Sequence, residues 1–462
     1  MIIAFVGSGG KTSLLKEYAK KYLKQKKTVF VTTSTHMYIE EYTLISDDAD
    51  EIIERLKKDN FVMAGIKDGC KITALSKETY EKVCRHADVV LIEADGSKQL
   101  PLKFPAEGEP VIYDNVDEII VVAGVFALNK KTKDVCHRLE LVKECLKISD
   151  DEPVKAWHIQ KLLKKGYIET LQNKYPDKKI NIHLNNDNSL YQRVVSSLIE
   201  ADMDVSLIKE EWFTPQPKLI ICGGGHVSME LVKMASCLDF SIKVIDDREE
   251  FANPKRFPLA QEVICDSFEN FGDYVEPDAY YIIVTRGHKD DYLCVKRILE
   301  ESYQYLGMIG SKRKVAETFQ KLKNNGISEE KIDTIHAPIG LDIGAVTPAE
   351  IAISILAEVI KEKNKTHTAS VSRELLDNKE HGMLCIIIDK HGSSPRGVGS
   401  MMFVNDTMTI DSIRGGAVEL AAIKEARENN KAMIKEYELN HKDRDKLGMI
   451  CGGYNKVLFI PV

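Results

Sequence analysis

Residues 217–248 read PKLIICGGGHVSMELVKMASCLDFSIKVIDDR. The apolar run from Leu219 to Cys222 suits a buried strand, three glycines turn the chain, and Met229, Leu231, Val232 and Ala235 fall at helical spacing. A second run, Ile242 to Ile245, closes on Asp246 and Asp247. Strand, glycine turn, helix, strand and acid is the order of a dinucleotide-binding βαβ unit. Each part has a physical reason: Gly223 permits the tight turn, Gly225 lets a pyrophosphate approach the backbone, and the helix start around Gly224 and His226 offers free N–H groups. Asp246 is expected to accept a ribose hydroxyl, with Arg248 beside it. Ser228 stands where a third glycine or alanine is usual, and it is small enough for close helix–strand packing.

The whole chain has 462 residues, more than one ordinary core, and predicts about three domains. A net charge of −7 gives no electrostatic case for nucleic acid or an anionic membrane, and the lysines between Lys16 and Lys27 suit a solvated helix face. The start, MIIAFVGSGG, lacks a basic region and meets glycines too early for a signal peptide. No run of about twenty apolar residues occurs, so no membrane span is expected. The ten cysteines are scattered without a CxxC pair, which argues against a metal knuckle or disulfide scaffold and suits a cytoplasmic protein.

Upstream, an apolar strand from Met1 to Val6 leads into GSGGKTS, Gly7 to Ser13, with a helix expected from about Leu14. Amides around Gly7, Gly9, Gly10 and Ser13 can face phosphate oxygens, Lys11 supplies positive charge, and the Thr12 hydroxyl can ligate magnesium. The longer Walker form would need glycine at position 5, where Phe5 stands, so this is the short GxGGKT form. Buried strands are predicted at Thr28 to Thr33 and Val89 to Glu93. The second ends on Glu93 and Asp95, where α/β sheets bind ligands; Asp95 is expected to hold magnesium through water and Glu93 to position an attacking water. Lys98, Lys103, Thr32 to Met37 (TTSTHM) and His137-Arg138 add groups able to meet an anion.

GSGGKTS, TTSTHM, LIEADGSKQLPLKFPAEGEP and HRLE, in this order, resemble the YqeC-type accessory proteins associated with selenium-dependent molybdenum hydroxylases, over about residues 1–210. The resemblance implies a P-loop domain binding ATP or GTP with Mg²⁺. Helices are expected around Val154 to Lys165 and Tyr191 to Ile199, a strand near Ile180 to His183, and a linker at Trp212 to Pro217.

After Asp247, a strand at Tyr280 to Thr285 runs into RGHKDD, whose Arg286, His288, Asp290 and Asp291 would share a rim with the glycine turn. YLGMIGSKRK repeats the logic: Gly310-Ser311 turns and caps, and Lys312-Arg313 open a helix where an anion could bind. GGGHVS, VIDDR, GMIGSKRK and APIGLDIGAVTPAEIAISILAE together resemble the Rossmann-like domain of the XdhC/CoxI xanthine dehydrogenase accessory family, over about residues 217–362. Residues 361–381 are charged and read as a linker. The last part, with Arg396 flanked by glycines and Cys451 before Gly452-Gly453, resembles the small CoxI domain over about residues 381–462. Cys451 is a candidate ligand or sulfur carrier, with a structural thiol as the plain alternative.

The predicted architecture is α/β: a P-loop NTPase-like domain (1–212), a Rossmann-like parallel-sheet domain (217–362) and a small α+β domain (381–462). The order of the last two matches the selenium-associated YqeB-like branch of the accessory family. The implied role is maturation of a selenium-dependent molybdenum hydroxylase, with molybdenum cofactor, molybdopterin or its dinucleotide, as bound cargo. The implied partners are the apo-hydroxylase, a cysteine desulfurase or selenium donor, and a second copy of the chain. Lys11, Glu93, Asp95 and Cys451 are the candidate reactive residues. An NAD(P)-dependent oxidoreductase and a nucleotide-dependent interaction switch are the alternatives.

Overall fold

The computed structural model describes residues 1–186, 189–366, 370–392, 397–413, 416–439 and 453–462. The first sheet orders its main strands as 179–185, 118–124, 2–7, 89–93, 29–33 and 61–68, all parallel. Strands buried on both faces read as continuous apolar runs. Ile2–Gly7, Val89–Glu93 and Glu118–Gly124 do so, and their cores are closed to solvent. Lys71–Thr73 and His36–Tyr38 extend one edge antiparallel. The helix after the first strand is Lys11–Lys24, starting three residues earlier than the sequence suggested, because Gly10 in the left-handed region (φ 119°) already caps it.

The second sheet runs 262–265, 241–246, 218–222, 279–283 and 303–308, again all parallel. In chain order this is 3-2-1-4-5, the strand order of a doubly wound dinucleotide-binding sheet short of its sixth strand. Ser228 is fully buried and its hydroxyl donates to the Gly223 carbonyl at 2.5 Å, so serine in the third-glycine position packs closely and ties the helix to the turn. The long helix Pro348–Thr366 begins as expected: Thr347 Oγ1 accepts from Glu350 N, and Glu350 accepts from the amides of Val346 and Thr347.

The third sheet is antiparallel, ordered 409–411, 401–404, 383–392, 453–461 and 433–439. Alternation along its central strand divides the side chains between two cores. Met383, Cys385 and Ile387 pack with the helix Ala417–Glu428. Leu384 and Ile386, with Phe403, Leu458 and Ile460, join the apolar core of the first half. The helix Leu190–Glu200 sits at that junction: Ser197 donates to the Pro461 carbonyl at 2.6 Å, and Arg193 to the carbonyls of Asn378 and Glu380.

Over their described residues both expected linkers are structured. Trp212 and Phe213 are buried in a short 3-10 turn, and the helix Pro348–Thr366 carries through residues read as linker. Val371 and Leu375 are buried, and Val371 exchanges backbone hydrogen bonds with Thr214 and Gln216. The few large apolar residues in these polar stretches hold them against the body. Among the described residues no helix is long and apolar enough to cross a membrane.

Candidate functional site

The first glycine turn is shaped by what surrounds it. A side chain on Gly9 would stand 2.6 Å from the Pro101 carbonyl and overlap the amide of Gly124, and its φ of 75° is left-handed. Ser8 and Gly9 hydrogen-bond the carbonyls of Val122 and Leu100, which stitches the turn to residues 96–101. The amides at the start of Lys11–Lys24 belong to the first turn of a helix, where no intrahelical acceptor exists. They face a cleft of about 1080 Å³ lined by Gly9, Gly10, Lys11, Thr12 and Ser13.

Two carboxylates meet this turn. Thr12 Oγ1 donates to Glu93 Oε2 at 2.9 Å, and Lys11 Nζ lies 3.0 Å from Asp95 Oδ1 while donating to the Gly7 carbonyl at 2.6 Å. The partner of the Thr12 hydroxyl is therefore Glu93, whereas the sequence reading gave the metal role to Asp95. Asp95 is fully buried, and its Oδ2 is crowded: the Gly7 amide and the Tyr167 hydroxyl each donate to it at 3.0 Å, and Lys103 lies at 3.3 Å. Burial pushes the Glu93 carboxyl up, with Lys11 and the Thr12 hydrogen bond opposing. Burial, reinforced by the charge of Asp95, also raises the Tyr167 phenol.

The ion pairs continue beyond Asp95. Lys103, itself buried, reaches Glu109 at 2.6 Å, and Glu109 accepts from Arg138 at 2.6 Å. Burial raises the Glu109 carboxyl, but Lys103 and Arg138 together pull it below its ordinary value. Of the groups the sequence offered as separate anion contacts, Ser34 to Met37, Lys98 and His137-Arg138 line the same cleft, whereas Thr32 and Thr33 are buried and donate to the Ala64 and Glu93 carbonyls. Lys103 differs from the expectation: it is a buried strut between carboxylates.

The second glycine turn has the same backbone logic and a different surrounding. Asp246 is buried, and its oxygens accept from Arg248 N, Nε and Nη2 and from the Gly224 amide, between 2.7 and 3.0 Å. A carboxylate offers about four acceptor directions, and these bonds take them. In the structure Asp246 fastens the turn, and exposed Asp247 is the second acid at the strand end. Burial drives the Asp246 carboxyl up, yet the Arg248 and amide hydrogen bonds outweigh it and hold the group below the usual carboxylate range. Arg248 stacks over Phe251 at 3.7 Å, and Arg256 donates to the Gly224 carbonyl at 2.9 Å. Gly225 remains open, with nothing within 4 Å of where a side chain would start, and His226 is exposed beside it.

Across the rim, Ser311 caps the helix Lys312–Asn324 after the turn at Gly310. Lys312 is exposed, and Arg313 turns to Glu317 at 2.9 Å. The cation that reaches inward is Lys314, which pairs with buried Asp291; Asp291 also accepts from Thr285. Arg396 and Cys451 lie outside the described residues. Sequence reasoning missed Tyr167, Glu109, Lys314 and Asn185, whose amide donates to the Gly9 carbonyl at 2.6 Å. Asn185 ends a parallel strand, a position that could have flagged it; Tyr167 sits in a π-helical turn, Lys164–Ile168, that leaves no pattern in the sequence.

The fold and turns define the class: an α/β chain with two glycine-turn parallel sheets and a small antiparallel sheet packed on the first. Residues 3–140 match the YqeC protein family, residues 219–359 the XdhC Rossmann domain, and residues 375–437 the XdhC and CoxI family. The chain is thus similar to YqeC over its first part and to the XdhC and CoxI families over two later stretches. Over 154 residues it is 38% identical to YqeB of Escherichia coli K12, covering 32% of this chain and 28% of that protein. It is 31% identical to YqeC of the same organism over 138 residues (28% and 54% covered). It is 26% identical to a probable xanthine dehydrogenase subunit from Bacillus subtilis 168 over 153 residues (33% and 44% covered). The matched stretches span 28% to 54% of the length of these relatives.

Proposed function

We propose that the chain is an accessory factor for xanthine dehydrogenase-type molybdenum hydroxylases of the selenium-dependent kind, with a nucleotide-binding half and a cofactor-carrying half. The observation that carries this reading is the union of XdhC segments with a cleft where Lys11, Thr12 and Glu93 converge on a glycine turn. On this reading the N-terminal half is P-loop NTPase-like. ATP or GTP lays its phosphates on the amides from Gly9 to Ser13, and Lys11 leaves Asp95 and the Gly7 carbonyl to meet them. Lys103 and Tyr167 keep Asp95 paired when Lys11 departs.

The oxygen donors at this turn suit Mg²⁺. Thr12 and Glu93 are the residues that would hold it, and the ion would neutralise phosphate charge when bound. In the second half, the open side of Gly225 and His226 takes the phosphate of molybdopterin or its dinucleotide, with Lys312 on the same rim. The Arg396 and Cys451 segments receive the pterin or molybdenum end. The apo-hydroxylase, a cysteine desulfurase or selenium donor and a second copy of the chain are the proposed partners.

The test is retention of molybdopterin and molybdenum by the chain purified from cells that make the cofactor, alongside Gly225→Asp, Arg396→Ala and Cys451→Ala. The wild type retains both and Gly225→Asp falls to background, because its carboxylate repels a phosphate at the open turn. Equal, negligible retention in all forms contradicts the reading.

A further inference from the structure

The cleft above the first glycine turn is larger than one nucleotide's phosphates require. Its volume of about 1080 Å³ lies at the top of the roughly 300–1,000 Å³ typical of a small-molecule pocket. Its lining has two chemically distinct parts. One is the glycine turn with Lys11, Thr12 and Glu93. The other is Lys98, His137 and Arg138, joined to the first through the buried ion pairs of Asp95, Lys103 and Glu109.

This second part has more cation than counter-ion. Lys103, Arg138 and Lys98 are three cations, and Glu109 and Asp95 are the two carboxylates among them, Asp95 being shared with Lys11 of the first part. Arg138 uses Nη2 on Glu109, while its buried Nη1 has no hydrogen-bond partner among the described residues. Lys98 is exposed and makes no ion pair among the described residues, and it and Gln99 both hold left-handed backbone (φ 49° and 63°) at the lip of the cleft. Such strain in non-glycine residues is stored where surrounding structure or a ligand fixes the loop. Burial, then the charges of Lys103, Arg138 and Lys98, hold His137 below its ordinary value, with Glu109 opposing. A buried guanidinium donor without an acceptor is expensive to leave unmade, and an oxyanion satisfies it.

We propose that Arg138, Lys98 and His137 form a second oxyanion subsite, which takes the phosphate or carboxylate of a co-substrate while a nucleotide occupies the glycine turn. The cleft is then a two-ligand site, and the co-substrate is an anionic small molecule. The proposal rests on reading the glycine turn as the nucleotide site.

The experiment loads the full chain with Mg²⁺ and a non-hydrolysable ATP or GTP analogue, then titrates inorganic phosphate and, separately, malonate, following binding by calorimetry and phosphorus NMR. Saturable binding to the loaded chain is expected, weakened at least tenfold more than the analogue's own binding in Arg138→Ala and Lys98→Glu. The stronger of the two anions identifies the co-substrate's charged group. Lys98 is exposed, so its variant folds even if loss of the Arg138–Glu109 pair disturbs the loop. Absence of saturable binding by either anion overturns the proposal. So does anion binding that Lys11→Ala abolishes and Arg138→Ala does not, because the anion then sits on the glycine turn. If neither analogue binds yet phosphate still binds in an Arg138-dependent way, the nucleotide reading fails and the subsite stands.

Discussion

The two glycine turns, Gly7–Lys11 and Gly223–His226, share a backbone plan and differ in what occupies the space around it. At the first, a lysine and a threonine open the helix, two buried carboxylates face them, and a large cleft lies above. At the second, the strand-end acid is consumed by Arg248 and the Gly224 amide, and aromatic and arginine side chains of residues 248–257 close over the turn, leaving Gly225 as the open point. Backbone shape makes a phosphate site available; the side chains around it decide whether charge and metal chemistry can follow.

The largest expected effect is structural and falls on the second turn. Asp246→Ala removes a buried carboxylate that fastens both Gly224 and Arg248, and should lower stability by roughly 3 kcal/mol, measured by urea denaturation. The wild-type stabilisation has a pH signature of definite sign. Because the folded Asp246 pKa is depressed, its contribution is complete above the unfolded carboxylate value of about 3.9 and is lost as pH falls through the folded value. Asp246→Ala should therefore be most destabilised relative to wild type near neutrality, with the gap closing in acid. An unchanged gap would show that Asp246 holds the turn by packing alone.

At the first turn the acid has the opposite linkage. Burial raises the Glu93 pKa, so stability falls as pH rises from the unfolded glutamate value through the folded one. Glu93→Gln keeps an acceptor for Thr12 and removes the buried charge. It should raise the melting temperature at pH 7 by about 3–6 °C, corresponding to roughly 1–1.5 kcal/mol, while weakening Mg²⁺-dependent nucleotide binding about tenfold. A lower melting temperature would mean that the charged form is fully compensated. The smallest effect belongs to Ser228: Ser228→Ala loses one buried hydrogen bond to Gly223 and should reduce stability by about 1 kcal/mol without altering ligand binding at the first turn.

Much of this contrast could be read in the sequence, for reasons that also explain the failures. Parallel strands buried on both faces are continuous apolar runs, so Val89–Glu93 was found to the residue, and glycine turns announce themselves by composition. The division of labour between Glu93 and Asp95 was not readable, because residues two apart at a strand end leave on the same side and only packing decides which meets Thr12. Tyr167 and Asn185 come to the site from 72 and 176 residues away in sequence from their partners Asp95 and Gly9. The two linkers were misread for a related reason: a few apolar residues, Trp212, Phe213, Val371 and Leu375, outweigh the polar composition around them once a neighbouring surface is available.

The most direct test of the contrast is a calorimetric titration of MgATP and MgGTP into the full chain, wild type beside Lys11→Ala and Gly225→Asp. One nucleotide per chain should bind the wild type, Gly225→Asp should match it, and Lys11→Ala should lose at least about 100-fold in affinity, roughly 2.7 kcal/mol. Binding that survives in Lys11→Ala and disappears in Gly225→Asp would assign the nucleotide to the second turn and contradict the account.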